Sequence, residues 1–287
     1  MYKFIILILI IYSDLLAHII DFNMFKSMVT ETNKMIIYGK GKKGLCFDDE
    51  IVNHKNGHCG DYAKLLLRKL IKKGFDAEIV SIRTQNGLAH AMVEVNVENK
   101  KILLDATTNI VYRNSVLELM INPLLAKRSI GKSMFPMYSN VYFWEGVKTI
   151  SFIPVIKCKT IKIFSIKSKT KFYKDHKLSI VINGTTNTYA AGYKDIPTKI
   201  SIDFEKTSYL SSLLIVPYNY KNYPSSLQIS CPLNNKIIYK NENITLKRGV
   251  IPINFDDKIK CKHLDITFFS FKGQNRFLLR NIYIYGK

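Results

Sequence analysis

Three residues that can carry acyl-transfer chemistry lie in the first part of the chain. Cys59 follows a glycine-containing loop in "NHKNGHCGDYAKLLL" and stands where an amphipathic helix is predicted to begin. Unpaired N–H groups and the helix dipole favour the thiolate form of a cysteine at that place. His90 in "GLAHAMVEV" and Asp105 in "KKILLDATT" follow downstream. Since a thiolate needs a base and the base needs a group that orients it, the three residues together predict nucleophilic catalysis.

Hydrophobic periodicity predicts the elements that must position these residues. Residues 59–73 carry apolar side chains at helical spacing, and Gly74 stands where a glycine commonly ends a helix. Strands are predicted at 77–83, 88–97 and 101–106. The segments "TQNG" and "ENKK" between them predict consecutive antiparallel hairpins.

The predicted hairpin register does not by itself join the histidine to the aspartate. With the turn centred near Asn99 and Lys100, Asp105 is expected opposite about Glu94, drifting toward Met92. A wider loop or a bulge would shift the pairing by several residues. We therefore expect such an irregularity to bring Asp105 to the histidine.

The sequence around the three residues resembles the transglutaminase-like superfamily, a circularly rearranged relative of papain-like cysteine proteases. There G-x-C opens the helix, H-A-W-V-E lies on one strand and D-P-T on the next. The matching segments here are "GHCGDYAKLL", "HAMVEV" and "LLDAT", within residues 40–110. The resemblance implies a Cys59–His90–Asp105 triad acting on amide or peptide bonds through a thioester. It implies neither a metal nor an organic cofactor.

Two positions depart from the superfamily pattern. Met92 replaces the usual tryptophan and Ala106 the usual proline. Both flank the site without carrying protons, so they bear on the substrate channel, and Met92 is a candidate substrate contact. By analogy, the backbone N–H of Cys59 is one donor to the oxyanion and a side chain upstream is the other. The candidates for the second donor are Asn53, His54 and His58.

Each of these residues also has a simpler interpretation. A free cysteine is often a small buried hydrophobe, and a strand histidine is often a satisfied packing residue. The other four cysteines, Cys46, Cys158, Cys231 and Cys261, form no C-x-x-C pair and no cluster of zinc spacing, so no metal site is predicted. Their spacing argues against a disulfide framework, although Cys231 and Cys261 could pair in an oxidising compartment. Cys46 is predicted to pack in the core.

The predicted fold class is α+β. A helix with an antiparallel sheet, the papain- or transglutaminase-like core, occupies residues 1–146, and an all-β sandwich occupies 147–287. Beyond residue 147, short β-branched and aromatic runs are separated by Asn, Gly, Pro and Asp, which is typical of a sandwich or barrel. The last strands resemble a galactose-binding-like jelly roll.

Charge and composition narrow the partners. The net charge is +21, but only seven of the 43 basic residues are arginine, the residue that supplies bidentate contacts to nucleic acids. Nucleic acid is therefore disfavoured. The family resemblance implies a protein, peptide or other amide-containing substrate. The alternative is a non-catalytic protein that binds glycan or a surface through the sandwich. The aromatic residues proposed for stacking on a carbohydrate are Tyr218, Tyr220 and Tyr223.

The N-terminal segment leaves the compartment open. An apolar run from Phe4 to Tyr12 has the length of a signal-peptide core, but no A-x-A-like cleavage site follows. Asp14 and His18 interrupt the run too early for a membrane span. A buried first helix is the alternative, so export and cytoplasmic retention both stay open, and membrane association is not predicted in either direction.

Overall fold

A computed structural model describes residues 20–42, 45–131, 141–153, 155–156, 158–182, 189–192, 197–232, 236–273 and 277–287. The chain divides into two compact units, Met1–Gly41 with Val52–Phe152, and Lys42–Ile51 with Ile153–Lys287. The predicted α+β class is confirmed, because the first unit joins helices to an antiparallel sheet and the C-terminal region is built of strands. The limits 1–146 and 147–287 stay a prediction. The apolar run at residues 4–12 lies outside the described residues.

The predicted helix at 59–73 is confirmed and is the third of the five α-helices in the described part of the chain. It ends at Lys72, two residues before Gly74, whose φ of +85° is a conformation that glycine adopts without strain. The α-helices are α1 (Phe22–Met35), α2 (Asp48–His54), α3 (Cys59–Lys72), α4 (Val116–Ile121) and α5 (Val141–Glu145), with a 3₁₀ helix at Pro123–Arg128.

Five strands form the sheet of the first unit. They are β3 (Asp76–Thr84), β4 (Ala89–Val97), β5 (Lys100–Asp105), β6 (Ile110–Tyr112) and β7 (Val147–Ile153), and a separate parallel pair consists of β1 (Ile37–Tyr38) and β2 (Asn56–Gly57). The order in the sheet is β6-β5-β4-β3-β7. The pairs β3–β4, β4–β5 and β5–β6 are antiparallel. The three predicted strands and their hairpin order are therefore confirmed.

The turn between β4 and β5 corrects the predicted register. Glu98 and Asn99 both have positive φ, 49° and 66°, as in the two-residue turn that suits a twisted hairpin. Val93 pairs with Leu104, and the same register continued places Asp105 opposite Met92. No wider loop or bulge separates these strands. The aspartate reaches the histidine, two residues further along β4, as a diagonal neighbour.

The face of the sheet that carries His90 is covered by a hydrophobic cluster. Ile82 pairs with His90 across β3 and β4, and Met92 is the next residue on that face. Ile82 and Met92 belong to a cluster of buried hydrophobic side chains. Its members include Val80, Ile82, Met92, Leu103, Tyr112, Phe143 and Trp144. Close packing of this kind fixes the path of β4 and therefore the position of His90.

The second unit is a β-sandwich built on two very long strands. Its strands are β8 (Lys159–Thr160), β9 (Ile163–Ser168), β10 (Ala190–Ala191), β11 (Thr198–Pro217), β12 (Tyr223–Cys231), β13 (Lys236–Asn241), β14 (Ile251–Lys272) and β15 (Leu278–Gly286). They follow the order β10-β15-β11-β14-β12-β13, with β8 beside β15 and β9 beside β11. The register of β11 shifts between Asp203 and Ser208, so its first part pairs with β9 and its later part with β15. Side chains from these strands share one core.

The prediction that the chain lacks a disulfide framework is wrong. Cys46 is bonded to Cys158, and Cys231 is bonded to Cys261, both within the second unit. The partners are 112 and 30 residues apart in sequence, so only the fold brings them together. Cys46 is therefore a bridging residue as well as a buried one. Within the described part of the chain, Cys59 is the free cysteine.

Candidate active site

Cys59 occupies the first position of α3, and tight packing holds the backbone before it. The N–H of His58 donates to the Asp61 carboxylate at 3.1 Å, an arrangement typical of a helix start. A Cβ at position 57 would lie 2.6 Å from Ile36 Cδ1, so any residue larger than glycine there requires the Ile36 side chain to shift. Gly60, by contrast, faces open space. Cys59 itself is half-buried.

The start of α3 offers an unused backbone donor at the cysteine. The first N–H groups of a helix have no partner within the helix. The hydrogen bonds of the described residues include none donated by the Cys59 N–H. This donor is therefore free to bind an oxygen that develops negative charge beside the sulfur.

His90 is buried beside Cys59 and hydrogen-bonded to Asp105. The ring is 3% exposed, and its Nε2 lies 2.7 Å from Asp105 Oδ2. The side chain of Cys59 also acts on the ring, where it helps to raise the pKa of His90. The structure thus brings the three residues together in one continuous chain of contacts.

The surroundings of His90 favour its charged form. Burial lowers the pKa of the imidazole, but the negative charge of Asp105 and the hydrogen bond to it act in the opposite direction, and Cys59 adds to them. The net effect raises the pKa of His90 from 6.5 to about 10. A pKa in that range keeps the ring charged at neutral pH, between the side chains of Asp105 and Cys59.

Asp105 is fully buried and receives four hydrogen bonds. Its Oδ1 accepts the backbone N–H groups of Thr107 at 3.0 Å and Thr108 at 3.2 Å. Its Oδ2 accepts the Thr108 hydroxyl at 2.7 Å in addition to His90. These donors offset the cost of burying the carboxylate. Burial raises the pKa of the neighbouring Tyr112 phenol, and the negative charge of Asp105 adds to this rise.

Helix α1 holds the loop that follows Asp105, a role that the sequence did not predict. Asn33 donates its amide N–H to the carbonyl oxygens of Ala106 at 2.8 Å and Thr107 at 3.1 Å. Lys26 donates to the carbonyl and side-chain oxygens of Asn109, at 2.5 and 2.7 Å. Asn109 has a φ of 60°, which is unusual for a residue other than glycine. These bonds fix the loop and, through it, the direction of the carboxylate.

The remaining predicted site residues lie around the triad to different extents. Met92 is 1% exposed and packs in the hydrophobic cluster. The His58 ring accepts the backbone N–H of Gly41 at 3.2 Å and lies edge-on to Tyr38. Asn53 is exposed and His54 half-buried, both in the last turn of α2. In the described part of the chain no hydrogen bond joins either of them to the triad, so the second oxyanion donor stays a prediction.

An aromatic neighbour that the sequence did not indicate completes the surroundings of His90. The Phe143 ring from α5 meets the imidazole edge-on, with 6.4 Å between the ring centroids. Phe143 in turn contacts Trp144 in the cluster. Over 50 residues separate these rings from the histidine, so no local pattern could connect them.

The described residues were also compared with the requirements of a metal site and of a membrane-spanning helix. No three His, Cys, Asp or Glu side chains among them lie close enough together to hold a metal ion. In the same part of the chain, none of the helices has the length and apolar character needed to cross a membrane.

Comparison with known families supports the superfamily assignment. Residues 14–130 match the family model DUF553, described as a transglutaminase-like domain. The match includes Cys59, His90 and Asp105, and it confirms the resemblance to the transglutaminase-like superfamily. It extends on both sides beyond the residues 40–110 that suggested it. No curated protein matches the sequence.

Solved structures similar to this chain are carbohydrate-binding domains. The CBM32-1 and CBM32-2 domains of Clostridium perfringens ZmpB in complex with GalNAc align with a TM-score of 0.39 and 16% identity over 44% of this chain and 33% of theirs. The family 32 CBM of C. perfringens NanJ in complex with galactose aligns with 0.38 and 16% over 42% and 91%. This chain thus spans about a third of the first of these structures. At such TM-scores and identities, no ligand is transferred from them.

Proposed function

We propose that the protein is a cysteine enzyme that cleaves or exchanges amide bonds through a thioester at Cys59. The observation that carries the proposal is the contact chain from the Cys59 side chain to His90 and from His90 Nε2 to Asp105 at 2.7 Å. The match of residues 14–130 to a transglutaminase-like domain supports the same chemistry. No metal or organic cofactor is needed for it.

In the proposed reaction the Cys59 thiolate attacks the carbonyl carbon of an amide. A C–S bond forms and the carbonyl oxygen becomes an oxyanion, which the Cys59 N–H stabilises. His90 then donates its proton to the nitrogen as the C–N bond breaks, so an amine leaves and a thioester remains. Because Nε2 is directed at Asp105, we assign the proton transfer to Nδ1.

The second half of the reaction restores the enzyme. Water, or an acceptor amine, gives up a proton to the neutral His90 and attacks the thioester carbon. The C–S bond breaks, releasing an acid or a new amide, and the thiolate and imidazolium form again. Hydrolysis and transamidation share these steps and differ in which nucleophile reaches the thioester.

The experiment separates labelling of the thiol from turnover. The wild type is incubated with iodoacetamide near neutral pH, and with a random peptide library in the presence and absence of a primary amine. We expect one alkylated residue, Cys59, and new peptide termini or new amide bonds detected by mass spectrometry. Cys59→Ser and His90→Gln should abolish turnover, typically by a factor of about 10³ or more.

A matched control exists in the same chain. His263 also pairs with an aspartate, Asp203, but this pair is partly exposed and lies in the second unit, where the neighbouring Cys261 is in a disulfide. His263→Gln should leave turnover unchanged. Turnover that persists in Cys59→Ser, or that falls equally in His263→Gln and His90→Gln, would overturn the proposal.

A second candidate function, carbohydrate binding by the second unit, is favoured by a group of stacked rings. Tyr189 stacks on His176 with 4.1 Å between ring centroids, and its ring lies tilted by 47° against Tyr218 at 4.3 Å. Arg280 donates to the carbonyl oxygen of Tyr218 at 3.4 Å. Half-buried rings beside a guanidinium group offer stacking and hydrogen-bonding surfaces for a sugar.

The rings also limit which tyrosines can take part. Tyr223, one of the three tyrosines predicted for stacking, is buried, whereas Tyr220 is exposed and outside the stack. Calorimetric titration with a panel of mono- and disaccharides should detect binding that Tyr189→Ala removes and Tyr220→Ala retains. Absence of binding to the whole panel, or equal loss in both variants, would count against this function.

A further inference from the structure

A cavity in the first unit lies next to His90 and has no assigned role. Its volume is about 350 Å³, within the range of small-ligand sites. The residues that line the cavity include Gln85, Asn86, Leu88, Tyr142, Phe143 and Gly146. They come from the turn between β3 and β4 and from α5 with the residue after it.

Backbone and ring contacts tie this cavity to the reactive imidazole. The N–H of Gln85 donates to the carbonyl oxygen of Gly146 at 2.7 Å, which joins the two walls. The Phe143 ring forms part of the lining and also meets the His90 ring edge-on, 6.4 Å between centroids. Leu88 lies two residues before His90 on the strand side. One aromatic ring thus separates the cavity from the group proposed to transfer the proton.

This position relates the cavity to one side of the substrate. In the proposed reaction His90 gives its proton to the departing nitrogen, so the part of the substrate bonded to that nitrogen lies toward the imidazole. The acyl part lies toward the sulfur. A cavity that shares a wall with His90 is therefore placed for the amine side of the scissile amide.

The lining selects against charge. None of the residues that line the cavity carries a formal charge, in a chain with a net charge of +21. Leu88, Tyr142 and Phe143 give it apolar walls, and the Asn86 side-chain oxygen is already bonded to the Thr84 hydroxyl. A lysine or arginine side chain that entered the cavity would lose its contacts with water and would meet no negative charge. Transferring a charge in this way is costly.

We infer that this cavity binds the amine side of the substrate and accepts a bulky neutral side chain, apolar or aromatic, while rejecting cationic ones. The inference rests on the proposed function and defines its substrate class. A substrate with lysine on the amine side of the scissile amide should then react poorly with this enzyme. Tyr142, 79% exposed, forms the outer edge, where it can cover the bound side chain.

Two variants test the cavity without disturbing the core. In Gly146→Ala the added methyl group would lie 3.4 to 3.8 Å from its nearest neighbours, which is ordinary contact, so the variant narrows the cavity and keeps the fold. Gln85→Glu is nearly isosteric and adds a carboxylate to the lining. The matched control is Gly39→Ala, where the added methyl group also meets only ordinary contacts, 3.8 Å or more away.

Turnover is measured on a peptide library, with mass spectrometry of the residue that follows each cleaved or formed amide. The wild type should prefer Phe, Leu or Tyr over Lys and Arg at that residue. Gly146→Ala should lower kcat/KM for the bulky residues by about tenfold and affect alanine less, because a cavity discriminates by about 10- to 200-fold per methylene. Gln85→Glu should raise kcat/KM for lysine by about tenfold through charge attraction.

The outcomes distinguish the two proposals. Cleavage that needs Cys59 but prefers lysine or arginine, or a Gly146→Ala loss that is equal for all residues and shared by Gly39→Ala, overturns the inference and leaves the proposed function standing. If no turnover depends on Cys59, the proposed function falls and the inference falls with it. A neutral preference that Gly146→Ala shifts toward small residues supports both.

Discussion

The replacement Asp105→Asn isolates the charge of the buried carboxylate from its shape. Asparagine keeps an oxygen for the backbone N–H groups of Thr107 and Thr108, so the loop after β5 can keep its path. What is lost is the negative charge 2.7 Å from His90 Nε2. The effect on Cys59 then measures how far this charge acts through the imidazole.

The magnitude follows from Coulomb's law. Two charges about 4 Å apart in an effective dielectric of about 20 attract each other by about 4 kcal/mol. Since about 1.4 kcal/mol corresponds to one pH unit, this attraction is worth about three pH units. Burial lowers the pKa of His90, and this attraction is the largest of the effects that nevertheless raise it from 6.5 to about 10. Without it the opposing effect of burial remains, so we expect the ring of the variant to be neutral at physiological pH.

The assay is the pH dependence of Cys59 alkylation by iodoacetamide. Because Cys59 is the free cysteine of the described residues, the label reports on one site. Because an imidazolium beside a sulfur favours the thiolate, the rate constant of the wild type should change little with pH while His90 stays charged. In Asp105→Asn the rate constant should rise about tenfold per pH unit, as for an ordinary thiol below its pKa of about 8.5.

The slope of the profile is the criterion because it does not depend on the intrinsic nucleophilicity of the sulfur. Asp203→Asn, which changes the other histidine–aspartate pair, should keep the flat profile of the wild type. A flat profile in Asp105→Asn would refute the reasoning, because it would show that the negative charge of Asp105 does not affect the reactivity of Cys59. A wild-type profile with a slope of one would refute it equally.

Three further predictions concern the support of the site. Asn33→Ala removes two hydrogen bonds to the loop after Asp105 and should lower the free energy of unfolding by about 1–3 kcal/mol in urea melts, with a fall in kcat at unchanged KM. The pKa of His90 is raised on folding, so its contribution to stability is complete below pH 6.5 and is lost as the pH rises toward about 10; urea melts across that window should show the loss in the wild type and not in His90→Gln. Gly57→Ala should cost about 1–3 kcal/mol through overpacking, and Gly39→Ala much less, in the same melts.

Helices and strands with a regular local spacing of apolar residues could be predicted from the sequence. Helix α3 and strands β3 to β5 appear where periodicity and turn residues predict them, because their apolar spacing and their caps are local. The three chemically matched residues could be found in order for the same reason. The register between β4 and β5 could not be fixed, because it depends on the positive φ angles of Glu98 and Asn99, which "ENKK" does not specify.

Long-range contacts account for what the sequence did not indicate. Asn33 lies over 70 residues from the loop that it holds, and Phe143 over 50 from the ring that it meets. The bridge between Cys46 and Cys158 spans 112 residues. Each of these pairs is brought together by the packing of whole elements, and an asparagine, a phenylalanine or a cysteine gives no local signal of a distant partner.

Burial falls along the contact chain from the carboxylate to the cysteine. Asp105 is 0% exposed and His90 3%, whereas Cys59 is half-buried. Four donors surround the buried carboxylate, and its negative charge acts on the imidazole. In the proposed reaction the sulfur is therefore the member of the chain that an incoming carbonyl carbon reaches first, and the imidazole acts on the substrate from behind it.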